Sequence, residues 1–524
     1  MAFGTGDPPL SCCGINIPVK KQLRLLGYGL DPLLNGLFHL DLMKRNVLPR
    51  IRSLKLLAQT RWGCDTETLK QFYTAFVRPA IEYSHPLLII SNKSVAEKVE
   101  VYQNSCLRII TGTSAHARNA NLRKMLELPT IMDRCAYLSA TLYENCSRKT
   151  GANPERSAAE TVVNRIGSRD RKNWNATVIN IAYPDGFRMN RLPLQFFNAL
   201  SPPQMDQIKS EFPICVTGPA DKCDYELFTD GSFCLTSLSG GGGVVLLLNG
   251  REIHKESIPL GRIHSSFEAE LLTLFRIFEF LDDRIEHLDG AKRISVSTDS
   301  QSSLSFLNSS DTPQSPYLFK NYWRCAFDFH ARTGIRLQYG FVRGHSGIVG
   351  NEMADKEAND GRLVAERGEM ADNDVSFESS KSILKKRLLS GSYGETSDHL
   401  EEALGGEGYK KRKLAIGLLE RNDEVTILQL ISGKCSITAD HLHRIGVSPA
   451  PTCPGCWEVD DSISHLLLNC PAYHSNRMFA FGDNITLNIL SKSPKSVCDF
   501  LKKINRFTSK DTMAKITARA EQRL

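Results

Sequence analysis

Two short segments of this chain each close on a Thr-Asp pair, Thr229-Asp230 and Thr298-Asp299. Glu270 lies between them, and Gly344-His345 follows, with Asp355 ten residues beyond the histidine. Four carboxylates and an imidazole in that order suit a cleft that holds two divalent metals against a phosphodiester. Carboxylates brought so close repel one another and raise each other's pKa unless a cation neutralises them. A pair of ions about 3.5–4 Å apart would do so, one activating a water and the other stabilising the leaving oxygen. For a single Asp at a strand end, an ordinary turn is the commoner explanation. It is the complete ordered set that points to chemistry.

Regular elements must position these groups. Residues 225–229 predict a strand ending at Asp230-Gly231-Ser232. Gly240 to Gly243 lead into an apolar strand at 244–248. Asn249-Gly250 is a two-residue hairpin turn of the kind that needs positive φ, and 251–258 is the return strand. Ser265-Ser266-Phe267-Glu268 opens a helix as a capping box. Phe267, Leu271, Leu274, Phe278 and Leu281 give that helix its core stripe. Glu268 points away from the stripe and has a cap role, whereas Glu270 lies at its edge, about 60° from the centre. A carboxylate there is costly unless something cationic meets it, so Glu270 is the functional acid of the two. The next strand, 293–298, is reached through a helix. A right-handed crossover then lays it parallel to the first, so Asp230 and Asp299 emerge at one sheet edge.

The chain has 524 residues, 41% hydrophobic and 23% charged, with a formal net charge of +7. That length implies two to four domains, and so mild a basic excess does not by itself identify a polyanion binder. No apolar run predicts a membrane span and no secretory signal is expected, so no membrane partner follows. Fifteen cysteines in a long chain argue against a disulfide framework and for a reducing, intracellular compartment, with nucleus and cytoplasm undistinguished.

Residues 1–22 read as a disordered N-terminus. Residues 23–146 are helical, with representative segments at 51–57, 69–77 and 95–110. A connector rich in Ser, Asn and Pro (Asn153-Pro154, Ser201-Pro202-Pro203) occupies 147–222. The α/β segment spans 223–362. A charged linker with Gly405-Gly406 and the basic run Lys410 to Lys413 fills 363–415, and that run is a candidate nuclear-localisation signal or phosphate contact. A small cysteine-bearing unit covers 416–480, and a basic helical tail with Lys502, Lys503, Arg506, Lys510, Lys515, Arg519 and Arg523 covers 481–524. Cys453, Cys456, His465 and Cys470 have ligand types and spacing suited to a structural Zn²⁺ site, a CCHC module, with His474 as an alternative ligand.

The motifs Phe228-Thr229-Asp230-Gly231-Ser232, Ala269-Glu270-Leu271 and Ser297-Thr298-Asp299-Ser300-Gln301 resemble those of type 1 ribonuclease H. So do Gly344-His345-Ser346-Gly347 and Gly350-Asn351-Glu352-Met353-Ala354-Asp355. The resemblance implies a mixed five-stranded sheet with helices and hydrolysis of the RNA strand of an RNA–DNA hybrid, leaving 5′-phosphate and 3′-hydroxyl ends. It implies Asp230, Glu270, Asp299 and Asp355 as ligands of two Mg²⁺ (or Mn²⁺) ions and His345 as the mobile proton-transfer residue. It also implies Gly231, Ser232, Ser300 and Gln301 as nucleic-acid contacts. Glu352 and Glu357 read as solvated helix residues. Only 45 residues separate Asp299 from His345, and they hold a helix at 317–332 and a strand at 335–342 with few basic residues, so the basic helical handle of some family members is missing. Phosphate contacts must then come from elsewhere.

The cysteine module, with His441-Leu442-His443-Arg444-Ile445-Gly446 before it, resembles the C-terminal region of non-LTR retrotransposon polyproteins. The N-terminal stretches at 72–83 and 102–112 are similar to the segment after the reverse-transcriptase palm of such elements. The palm itself is missing. Phe280-Leu281-Asp282-Asp283 ends the helix that carries Glu270 and is explained by packing. The resemblance therefore implies the back part of a retrotransposon enzyme. It leaves open single-stranded nucleic acid and a separate reverse transcriptase as partners. The rival reading is a catalytically silent nucleic-acid-binding remnant.

Overall fold

The computed structural model describes residues 11–12, 15–16 and 20–507, apart from 32–33, 60–61, 150–173, 183–189, 192–199, 264, 289, 310–315, 368–373, 376, 406–415 and 484. The Lys410 to Lys413 run, Asn153-Pro154, and Lys510, Lys515, Arg519 and Arg523 lie outside the described residues. The chain forms two compact units. One comprises residues 140–170 and 178–387, the other residues 1–139, 171–177 and 388–524.

The first unit is built on a mixed sheet. Its elements are α1 (Pro202–Glu211), β1 (Ile214–Cys215), β2 (Tyr225–Cys234), β3 (Ser239–Leu248), β4 (Arg251–Arg262), α2 (Ser266–Asp282), β5 (Arg293–Thr298), α3 (Gln301–Asn308), α4 (Pro316–Thr333), β6 (Arg336–Phe341) and α5 (Val349–Glu366). The sheet has six strands in the order β1-β6-β5-β2-β3-β4, rather than the expected five. β1, β6, β5 and β2 run parallel, and β2, β3 and β4 form the antiparallel meander. The added strand lies in the segment read as a connector. Ser201-Pro202-Pro203 is a helix start, with Gln204 Oε1 accepting from Ser201 N at 3.0 Å and proline at the first helical position. α1 then feeds β1 onto the free edge of β6.

The glycines expected ahead of the second strand lie inside it, and the first strand continues through Asp230, Gly231 and Ser232 to Cys234. The reason is close approach from both faces. A Cβ on Gly241 would stand 2.1 Å from Arg362 N, and one on Gly243 would stand 1.9 Å from Ala354 O, both in α5. On the other face, Gly242 would meet Thr273 of α2 at 2.4 Å. Alternate residues of a strand face opposite sides, so the glycine run lets one helix seat on each face. Gly243→Ala should therefore cost about 3 kcal/mol, read from a urea unfolding curve. A loss below about 1 kcal/mol, within the range of ordinary surface changes, would mean that α5 does not sit against β3.

The same alternation sorts the core. Leu227, Val244 and Leu246 join Leu271, Leu274 and Ile277 of α2, while Phe228, Val245 and Leu247 join Ala354 of α5. The hairpin turn is as expected, with φ of 50° at Asn249 and 76° at Gly250. Phe280 and Leu281 are buried, and Asp282 meets Arg332 at 2.7 Å, so the Phe-Leu-Asp-Asp tetrad is helix packing.

The second unit shares one core between segments far apart in sequence. Helices Leu37–Leu57, Lys93–Thr111 and Asn119–Leu126 pack with Asp398–Leu404, Arg421–Ser432 and Pro494–Lys503. Tyr73–Val77 is a single π turn. The expected divisions 23–146 and 416–480 thus lie almost wholly in the same unit. Helix Arg421–Ser432 is buried along almost its whole length, and several of its polar groups find partners. Arg421 Nη2 donates to Ile110 O at 2.6 Å and Nη1 meets Glu424 at 2.8 Å, while Glu424 accepts from Thr66 N at 3.1 Å. Two of the basic tail residues are committed internally, Lys502 to Asp423 at 2.7 Å and Arg506 to Asp461. Among the described residues no helix is long and apolar enough to cross a membrane.

Candidate active site and metal centres

Thr229 of β2 pairs with Thr298 of β5 in parallel register, so the residues that follow, Asp230 within β2 and Asp299 just past the end of β5, lie side by side. α2 supplies the third carboxylate. Ser265 caps it by accepting from Glu268 N at 3.2 Å. A Cβ on Gly231 would stand 2.3 Å from Glu270 N, so the bare glycine lets the first turn of α2 press on β2. Asp230, Glu270 and Asp299 each offer an oxygen within 4.8 Å of the others. Asp355 of α5 stands at hydrogen-bonding distance from Asp230 and adds its charge there.

Burial, then the charges of Asp299 and Asp355, push the Asp230 carboxyl up from 3.8 to about 7. Burial, then the charges of Asp230 and Asp299, raise Glu270 well above the ordinary range. Glu270 Oε2 is shut off from solvent and has no hydrogen-bond partner. Buried, mutually repelling carboxylates with an orphaned oxygen are a poor arrangement by themselves and a good one around hard cations, which take oxygen ligands. The residues fit divalent metal.

A sign follows for the metal-free unit. Asp230 ionises near 4 when unfolded but holds its proton to about 7 when folded. Between those values the folded state binds more protons, so stability should fall as pH rises from about 4 to about 7 and stay low above it. Urea unfolding in a chelator at about pH 5 and about pH 8 should show the decline, on the order of 2 kcal/mol. A flat profile would mean the carboxylates do not share one buried site.

The loop that carries His345 passes against the same acids. A Cβ on Gly344 would stand 2.5 Å from Asp299 Oδ2. His345 itself is exposed in the left-handed region, at φ 51°. Of the expected nucleic-acid contacts, Gly231 serves the close approach of α2, and Ser300 is a buried cap that accepts from Ser303 N at 3.4 Å. Gln301 is exposed and donates to Val216 O at 3.3 Å. Ser232 donates to Asn359 Oδ1 at 2.8 Å, and Asn359 Nδ2 in turn donates to Asp355 Oδ1 at 3.2 Å. Sequence reasoning missed Asn359. Its signal is the spacing of four from Asp355, which puts both on one helix face. Glu357, read as solvated, is instead tied down, bonded by Ser257 and 3.4 Å from Lys255. Those partners lie on β4, which only the pairing of distant segments brings beside α5. Glu268 is likewise buried and bonded by the Ser379 hydroxyl, so it has more than a cap role.

A second cluster lies in the other unit. Sγ of Cys453, Cys456 and Cys470 and one ring nitrogen of His465 all fall within 4.8 Å of one another. Cys453 and Cys470 are 3.8 Å apart at sulfur, and Cys456 Sγ is 3.3 Å from His465 Nε2. Tetrahedral zinc, with Zn–S about 2.3 Å and Zn–N about 2.0 Å, needs ligand separations of roughly 3.5–3.8 Å. Gly455 N points at Cys453 Sγ from 3.4 Å, as in a thiolate knuckle, and Arg477 holds Cys470 O at 3.0 Å. Burial pushes the Cys470 thiol up to about 11, whereas the Glu458 N–H helps hold Cys456 low. His474 is not a member of the cluster.

Residues 222–362 match the family model of RNase H. Among solved structures the chain is similar to LC11-RNase H1, isolated from compost by a metagenomic approach, at 21% identity, TM-score 0.24, over 27% of this chain and 97% of that one. It is similar to the N-terminal RNase H domain of a Mycobacterium tuberculosis protein at 19% identity, TM-score 0.23, over 28% and 98%. LC11-RNase H1 in complex with an RNA/DNA hybrid matches at 20% identity, TM-score 0.23, over 27% and 98%. No curated protein gives a significant match.

Proposed function

We propose that the chain hydrolyses the RNA strand of RNA–DNA hybrids endonucleolytically, as a type 1 ribonuclease H working with two Mg²⁺ (or Mn²⁺) ions. The observation that carries this reading is the convergence of Asp230, Glu270 and Asp299, with Asp355 against Asp230, inside the segment that matches the RNase H family. These four carboxylates would hold the cations. When bound, the ions supply activation of the attacking water and neutralisation of charge at the leaving oxygen. The chain's own groups do the rest. Glu270 would offer the cations an oxygen that is shut away from water and otherwise without a partner. Asn359 and Ser232 fix the Asp355 carboxylate, since a ligand held by a neighbour loses less freedom when the substrate arrives. His345, exposed on the loop whose Gly344 approaches Asp299, would help proton transfer or product departure.

The same proposal includes structural zinc at Cys453, Cys456, His465 and Cys470, and an origin as the back part of a retrotransposon enzyme that works with a separate reverse transcriptase. The resemblance at 72–83, 102–112 and 441–446 supports that origin. Cleavage of an end-labelled hybrid by purified protein with Mg²⁺, beside the Asp230→Asn variant, tests the activity. Hybrid bound but uncut by the wild type would transfer the reading to a silent binding remnant.

A further inference from the structure

Helix Phe377–Leu389 lies beyond the segment 222–362 that matches RNase H. It carries Lys381, Lys385, Lys386 and Arg387 against one acid, Glu378. Residues 377–387 belong to the unit that holds the acidic site. Ser379, Ser380, Ile383 and Leu384 recur at helical spacing and form its buried side. Lys385 lies about 170° and Lys386 about 90° from the centre of that stripe, and both are exposed. Lys386 donates to Leu235 O at 2.9 Å, a neutral partner that leaves its charge uncompensated.

Two anchors fix where this helix stands. Near its start the Ser379 hydroxyl bonds the buried carboxylate of Glu268, two residues before Glu270 in the first turn of α2. Beside it Ser380 accepts from Arg148 Nη2 at 2.5 Å, and Arg148 is paired with Glu144 at 3.2 Å, both fully buried. Seven residues after Ser379 comes the bond from Lys386 to Leu235, the residue that directly follows β2. The helix thus runs for about 10 Å between the two elements that carry Glu270 and Asp230. A strand rises about 3.3 Å per residue, so Leu235 stands no more than about 17 Å from Asp230. A nucleic-acid strand advances about 3.4 Å per nucleotide, which puts Lys386 about five steps from the acids.

Charge decides what this surface fits. Four carboxylates repel a polyanion, so a substrate that reaches them must be held by positive charge placed beyond them. Exposed lysines on an unanchored helix would be an ordinary solvated face. This pair is instead held in place by bonds to the elements that bear the acids. We infer that Lys385 and Lys386 contact the phosphodiester backbone of the RNA–DNA hybrid, on the side of the site bounded by α2 and the turn between β2 and β3. The identity of that ligand rests on the hydrolase reading above, but the contact itself does not require cleavage.

The test uses the full chain with the Asp230→Asn change, so that no substrate is consumed, and a fluorescent RNA–DNA hybrid about two helical turns long. Affinity is followed against salt in this parent, in Lys385→Gln, in Lys385→Gln with Lys386→Gln, and with both lysines changed to Arg. The single variant keeps the bond from Lys386 to Leu235, so that anchor is intact there. Lys385→Gln should flatten the slope of log affinity against log salt by roughly 1 and the double variant by roughly 2. The double variant should also bind roughly tenfold more weakly at moderate salt, and the arginine pair should restore both quantities. Unchanged affinity and slope in both glutamine variants would overturn the contact. So would a loss that arginine does not restore, because it would come from disturbed packing rather than lost charge. Cleavage of the same hybrid by the wild type with Mg²⁺ is scored separately. Hybrid that stays uncut, yet binds in a lysine-dependent way, would end the hydrolase reading and support the contact.

Discussion

Replacing Asp230 by Asn should lower RNA-strand cleavage by about 10³-fold or more and, at the same time, make the metal-free protein more stable at neutral pH. The first effect follows from the loss of one charge of the cation cage. Metal stabilisation of the transition state is worth several kcal/mol, and each 1.4 kcal/mol or so is a factor of ten in rate. The second effect has the opposite sign because Asp230 is an uncomfortable residue without metal. Its carboxyl is pushed up to about 7 by burial and by the charges of Asp299 and Asp355. At about pH 8 the wild type must ionise it against that field, whereas Asn remains neutral and its amide can donate to the acids beside it. The gain should be on the order of 2 kcal/mol, measured by denaturation in a chelator. Added Mg²⁺ should then raise the midpoint of the wild type more than that of the variant, because only binding to the folded state stabilises. A variant that cleaves near the wild-type rate would end the two-metal assignment. One that is inactive but no more stable at about pH 8 would show that Asp230 is less crowded than its surroundings imply.

Cys456→Ser should release zinc and destabilise far more than the knuckle. Structural zinc contributes roughly 10 kcal/mol or more of apparent binding energy in small modules. Here Ile463, Leu466 and Leu467, beside and within the ligand-bearing turn, lie in the same core as Leu69, Tyr73, Leu107 and Ile427. Loss of metal therefore loosens a core that also holds the N-terminal helices. We expect the wild type to contain one zinc per chain by mass spectrometry and the variant much less. The unit's thermal transition should broaden and fall, with a loss of about 5 kcal/mol or more. Unchanged metal content in the variant would refute the ligand set.

How much of this was legible in the chain varies with the reach of the interaction. The strand at 225–229, the apolar run at 244–248 and the Asn249-Gly250 turn are local, and the structure has the strands and the left-handed turn residues that they imply. The preference for Glu270 over Glu268 came from a helix angle, and Glu270 is the one that joins Asp230 and Asp299. The zinc-type cluster was legible for a similar reason, since its four ligands lie within 18 residues and a short knuckle and turn bring them together.

Readings failed where a distant partner decided. Gly240 to Gly243 read only as a lead-in to the strand, yet they lie inside it, where two helices press on them from opposite faces. Ser201-Pro202-Pro203 read as part of a connector with some local structure, and it caps the helix that leads to a sixth strand, where only the unpaired edge of β6 makes two residues a strand. Glu357 looked solvated until β4 supplied Lys255 and Ser257.

By itself the sequence determined the local elements, the types and order of the acidic and cysteine groups, and the segment in which each would lie. These depend on backbone preferences and side-chain chemistry within a few residues. Tertiary structure alone decided that Asn359 steadies Asp355 and that helices from the two ends of the chain share one core around Arg421 and Glu424. Such contacts join residues up to several hundred positions apart, and their energy exists only once burial has removed water from between them.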